Sequence, residues 1–164
     1  IHHEDAVNSP KNIRVVVQFE AFNTDSTLII DNSSPNCIVS DFFWLKPEFH
    51  VDWSEGYLGD YLINKDNAGG EYVRFIPNVL KGNYKISLHG KPYSNPMLME
   101  KTKGFYVNVN HKNGLDKQWI QPSKSLELGI YQFIPGEDNY IEIISDDSEG
   151  LIIIDAIKLV RNNI

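Results

Sequence analysis

The decapeptide LIIIDAIKLV, residues 151–160 near the end of the 164-residue chain, decides the fold. It is apolar on both faces, which predicts a strand in the middle of a sheet that is covered on both sides. Its unbroken apolar part, 151–154, falls far short of the roughly 20 residues needed to cross a bilayer, so membrane insertion is not expected. Alternation along one continuous strand puts Asp155 on the same face as Leu151, Ile153, Ile157 and Leu159. A carboxylate on such a face must accept hydrogen bonds, pair with a cation or bind a metal. The sequence therefore assigns Asp155 a structural role as a buried acceptor that ties the last strand to a loop.

Working outward, the same period of two recurs. Ile13, Val15, Val17 and Phe19 alternate with polar residues, as do Tyr84, Ile86 and Leu88. Further strands are predicted at 28–31, 37–44, 57–63, 71–76, 105–111, 117–121, 126–134 and 140–145. Turn chemistry separates them, as in Ala68-Gly69-Gly70, Lys81-Gly82-Asn83, Lys112-Asn113-Gly114 and Pro135-Gly136. No stretch of ten residues carries helical spacing, and β-branched and aromatic residues abound. The fold class expected is all-β, an antiparallel β-sandwich of jelly-roll type. Residues 91–102, with two prolines and both methionines, read as a long surface loop. The polar opening, 1–12, reads as a linker remnant in front of one module over 13–164.

Composition narrows the function. Fifteen Lys and Arg against 22 Asp and Glu give a net charge of −7 with no basic cluster, which disfavours a nucleic-acid partner held through phosphates. Cys37 is the sole cysteine, so neither an intrachain disulfide nor a Cys-rich zinc site forms. No Gly-x-Ser-x-Gly elbow, His-Glu-x-x-His helix or phosphate-binding glycine loop occurs. The acidic pairs Asp146-Asp147 and Glu137-Asp138 lie in turns beside glycine, where carboxylates are ordinarily solvated. His50 and Asp52 would share a strand face, yet no third metal ligand is identifiable. No cofactor is expected, and no metal site beyond the room that acidic loops leave for a structural calcium.

An ordered series of short motifs carries a resemblance. It comprises Ile30-Asp31-Asn32, Trp44, Gly56-Tyr57-Leu58-Gly59-Asp60-Tyr61, Phe75-Ile76-Pro77 and Gly82-Asn83-Tyr84. Asn95, the turn from His111 to Gly114, Gln121, Leu128-Gly129 and Asp155-Ala156 complete it. From about residue 29 to 161 the chain resembles the golvesin C-terminal-like domain, also called the xanthan-lyase carbohydrate-binding domain. Leu126 and Phe75 stand where that family usually has Trp. The resemblance implies a jelly-roll accessory module carried by secreted bacterial enzymes that act on polysaccharides. It also implies an extracellular or cell-surface location, a polysaccharide partner and a catalytic domain in the same parent chain. The module itself is not expected to be an enzyme.

Aromatic side chains are the natural sugar contacts, because a pyranose C–H face stacks on a ring. Trp53, among polar neighbours, and Trp119, between Gln118 and Gln121, sit beside groups able to hydrogen-bond hydroxyls. Packing of either ring in the core is the competing reading. Tyr57 and Tyr61 share a face of an extended segment and serve either as ligand contacts or as structural phenols. Tyr93 in the expected loop is a further candidate contact. Trp44 lies in an apolar context and reads as core, and His111 as a stabiliser of its turn. A structural or interaction module that orients a neighbouring catalytic domain without binding sugar is the alternative function.

Overall fold

The structure is a computed structural model that describes residues 27–40, 44 and 45, 56–65 and 69–162. The linker 1–12, the strand over 13–22, the pair His50 and Asp52, and Trp53 lie outside the described residues. Within them the protein is an all-β sandwich of antiparallel sheets. One sheet of four strands has the order β1 (Thr27–Asp31), β11 (Ala156–Asn162), β5 (Gly82–His89), β8 (Glu127–Phe133). The other has five, in the order β2 (Cys37–Val39), β4 (Tyr72–Phe75), β9 (Tyr140–Gly150), β6 (Thr102–His111), β7 (Gly114–Ile120). A third, two-stranded sheet joins β10 (Ile152–Ile154) to β3 (Leu62–Asn64).

Alternation explains why the sheets stack. In β6, Phe105, Val107 and Val109 are fully buried while Tyr106, Asn108 and Asn110 stay half-buried on the other face. β9 repeats this with Ile141 and Ile143 inward, and β5 with Tyr84, Ile86 and Leu88. These inward residues join Ile30, Phe133, Ile157 and Leu159 in one core. Each fully buried Ile or Phe contributes roughly 1.5–3 kcal/mol by leaving water.

The apolar run 151–160 departs from the single strand expected. It is two strands: among the described residues β10 pairs only with β3, through Ile153 opposite Ile63, and β11 lies between β1 and β5. The chain changes sheets at Asp155. Continuous hydrophobicity reports burial on both faces but not which strands supply it, so the break is silent in the pattern. Strand 57–63 is likewise shortened, because residues 57 and 58 form a turn and the ladder begins at Leu62.

The segment 91–102 also differs from the loop expected. Lys91–Ser94 is a 3-10 turn and Pro96–Lys101 a short helix, α1. Asn95 caps α1, its Oδ1 accepting from the Met97 N–H at 3.0 Å and the Leu98 N–H at 3.4 Å, and Pro96 takes the first helical position. Six residues are too few to show an amphipathic period. The Asn-Pro cap was the signal available in the sequence.

Candidate functional site

The five-stranded sheet turns one face to the core and the other outward. Strand register arranges the outward side chains in rows across the strands. Tyr72 on β4, Ile144 on β9, Tyr106 on β6 and Trp119 on β7 are successive partners. Beside them Arg74, Glu142, Asn108 and Lys117 form a parallel polar row. With strands about 4.8 Å apart, each row spans about 14 Å.

Contacts hold these side chains in place. The Tyr106 and Trp119 rings meet edge to face, with centroids 4.9 Å apart at 70°. The Lys117 ammonium sits 4.2 Å over the Tyr106 ring. The indole covers Gly104, where a Cβ would come within 2.4 Å of Trp119 Cζ2, so only glycine admits this placement of the ring. Arg74 lies between two further rings, 5.1 Å from the Tyr72 centroid and 4.3 Å from that of Tyr140.

Arg74 Nε and Nη2 both donate to Glu142 Oε2, at 2.8 and 2.6 Å. Burial alone would lower the Arg74 pKa, but the hydrogen bond and charge of Glu142 outweigh it and the pKa rises. Asn108 Nδ2 donates to Glu142 Oε1 at 3.1 Å, while Asn108 Oδ1 is buried without a partner among the described residues. The result is a strip of aromatic surface bordered by Arg74 and Lys117, with Glu142 buried beneath and both its oxygens already bonded to Arg74 and Asn108. The rings of such a strip can stack against the C–H faces of sugar rings, and its polar edge can hydrogen-bond hydroxyls.

The residues singled out in the sequence do not all meet here. Trp119 belongs to the aromatic row. Gln121 instead lines a cleft of about 610 Å³ with Glu100, Lys103, Lys124 and Glu149. Tyr57, Tyr61 and Tyr93 gather near Asp155. Tyr61 is 1% exposed, and its hydroxyl has no partner among the described residues. Tyr93 is 7% exposed and donates to the Ile153 carbonyl at 2.9 Å. Burial pushes the Tyr61 phenol up to about 12 and that of Tyr93 also upward, with the Asp155 charge adding to both. Neither ring is presented to a ligand. The reason for Tyr93 is that 91–102 folds inward as a 3-10 turn and helix rather than as an exposed loop. Tyr57 is 41% exposed and packs edge to face on His89 at 5.2 Å.

Trp44 is 7% exposed and lies in the core. His111 Nε2 lies 3.3 Å from Asp116 Oδ2, and its ring meets Tyr131 at 5.0 Å. Asp155 is fully buried, and both its carboxylate oxygens accept the Tyr57 N–H at 2.9 Å. Burial pushes Asp155 up to about 7; the Tyr57 hydrogen bond opposes this, and Asp31 and Asp60 add to it. Among the described residues no three His, Cys, Asp or Glu side chains assemble as a metal-binding set.

Tyr72, Arg74, Tyr106, Lys117, Tyr140 and Glu142 were not singled out in the sequence. Their signal was the outward half of each alternating strand, Tyr106 and Asn108 in FYVNVNH and Tyr140 and Glu142 in YIEIIS.

With this face described, comparison with known proteins bears on it. The chain is similar to a Paenibacillus xanthan lyase of known structure. The two share 26% sequence identity and superpose with a TM-score of 0.67. The similarity covers 84% of this chain and 13% of that one, so it is a likeness to a domain-sized part of a much longer protein. No family model and no curated protein matches the chain. No helix among the described residues is long and apolar enough to cross a membrane.

Proposed function

We propose that this domain is a non-catalytic accessory module that binds an extended polysaccharide across the outer face of its five-stranded sheet. It thereby holds an attached polysaccharide-degrading domain near its substrate. The observation that carries the reading is the alignment of Tyr72, Ile144, Tyr106 and Trp119 in one row beside Arg74, Glu142, Asn108 and Lys117. A strip about 14 Å long matches a run of about three sugar rings of an extended chain. Similarity to a small part of a xanthan lyase supports the accessory role, a partner catalytic domain in the same chain and an extracellular location. The ordered motifs of the golvesin C-terminal-like domain support the same class.

Affinity electrophoresis against a panel of neutral and acidic polysaccharides tests the proposal. Retardation by at least one polymer is expected, and its weakening in Tyr106→Ala at an unchanged melting temperature. Absence of retardation across a broad panel would favour a module that only packs on its neighbour.

A further inference from the structure

A second site lies away from this face. A cleft of about 410 Å³ opens between the turn at 56–60 and the segment 88–94, lined by Tyr57, His89, Lys91, Ser94, Leu88 and Leu126. Gly56 and Gly90 complete its walls in backbone. Its volume falls within the roughly 300–1,000 Å³ common to small-molecule sites. We propose that this cleft binds a single neutral pyranose, as a chain end or a branch, independently of the sheet face that takes the chain. The inference rests on the carbohydrate reading above and adds a second mode of recognition to it.

The walls are fixed before any ligand arrives. The Tyr57 amide is held by Asp155, and a Cβ on Gly56 would fall 1.5 Å from the Asp60 carbonyl oxygen. Gly90 has φ +136°, and a Cβ there would lie 1.8 Å from Asp155 Oδ2. The floor is tied by the Leu88 N–H donating to the Leu126 carbonyl at 2.8 Å. The far wall, the 3-10 turn, is anchored by buried Pro92 and Tyr93. Binding therefore orders little of the protein, which favours small ligands that have few contacts to offer.

The lining matches the two sides of a sugar ring. Tyr57 is the exposed aromatic group and half-buried Leu126 supplies apolar floor, suited to C–H faces. His89, Ser94 and Lys91 bring nitrogen and hydroxyl groups. Burial, with the Lys158 charge, holds His89 below the usual histidine range. The imidazole is then neutral at pH 7 and both donates to and accepts from hydroxyls. Asp155 behind Gly90, with its pKa raised to about 7, and Lys91 in the lining bring partial opposite charges to the cleft, so neither sign dominates it.

Saturation-transfer NMR on the full chain tests this with the methyl glycosides of a neutral hexose and of a hexuronate. The neutral glycoside should receive saturation and shift the Tyr57 and His89 ring resonances. Tyr57→Ala and His89→Ala should each abolish this while leaving polymer retardation and melting temperature unchanged. Tyr106→Ala should weaken polymer retardation and leave glycoside binding unchanged. Glycoside binding that persists when no polymer is retarded would sink the sheet-face reading and leave the cleft standing. No transfer from either glycoside, transfer from the hexuronate alone, or loss of glycoside and polymer binding together in Tyr106→Ala would overturn the cleft.

Discussion

The Tyr57 amide donates to both carboxylate oxygens of Asp155 at 2.9 Å, across 98 residues of sequence. This bond fastens the turn at 56–60 to the point where the chain passes from β10 to β11. It also places a carboxylate in the interior, where burial, with a smaller contribution from the charges of Asp31 and Asp60, pushes its pKa up to about 7.

Stability should therefore fall as pH rises. The folded-state pKa of Asp155 is raised, so the folded protein holds a proton that the unfolded chain gives up near 3.8, the ordinary value. Its contribution is complete below about 4, declines by up to about 1.4 kcal/mol per pH unit, and is gone above about 7. Asp155→Asn should flatten this slope in urea titrations at pH 5 and pH 8 and be relatively more stable at pH 8. Identical slopes in the two proteins would show that Asp155 does not retain the proton.

Gly90→Ala should destabilise by about 2–4 kcal/mol. The residue has φ +136°, and its new methyl group would collide with the Asp155 carboxylate. Thermal unfolding should show a large fall, whereas Gly136→Ala, strained at φ +80° but with no atom within 4 Å, should cost less.

Ile153→Ala should cost about 2–5 kcal/mol, because the side chain is fully buried between the sheets. Leu115→Ala, at a site 55% exposed, should stay within about 0.5 kcal/mol in the same denaturant titration.

Gly104→Ala should move the Trp119 indole off the sheet. A Cβ there lies within 2.4 Å of the ring, and the side chain must rotate away. The expected result is weaker polymer retardation together with a change in tryptophan fluorescence. Retardation equal to wild type would remove Trp119 from the binding strip.

Tyr106→Ala and Trp119→Ala should each weaken polymer binding by about tenfold, near 1.4 kcal/mol, since the two rings buttress each other and expose one strip. The double variant should lose less than the sum, because each single change already disturbs the partner ring. Strict additivity, read from retardation coefficients, would show that the two rings act separately.

Much of this protein is written locally. The period of two in 84–89, 105–111 and 140–145 states which side chains enter the core, because successive residues of an extended chain point to opposite faces whatever lies beside them. Turn residues mark where those strands stop, and the apolar run at 151–160 announces deep burial around Asp155. Tertiary structure decided the rest. Tyr72, Tyr106 and Trp119 become one row only when β4, β9, β6 and β7 are set side by side in register. The break at Asp155 exists because β3 claims Ile152–Ile154 and β1 and β5 claim β11. Tyr61 and Tyr93 go inside because the segments bearing them fold onto Ile152–Ile154 and Asp155, a choice no local pattern encodes. Alternation is a property of one strand, whereas neighbour order and register come from hydrogen bonds and packing between strands far apart in the chain.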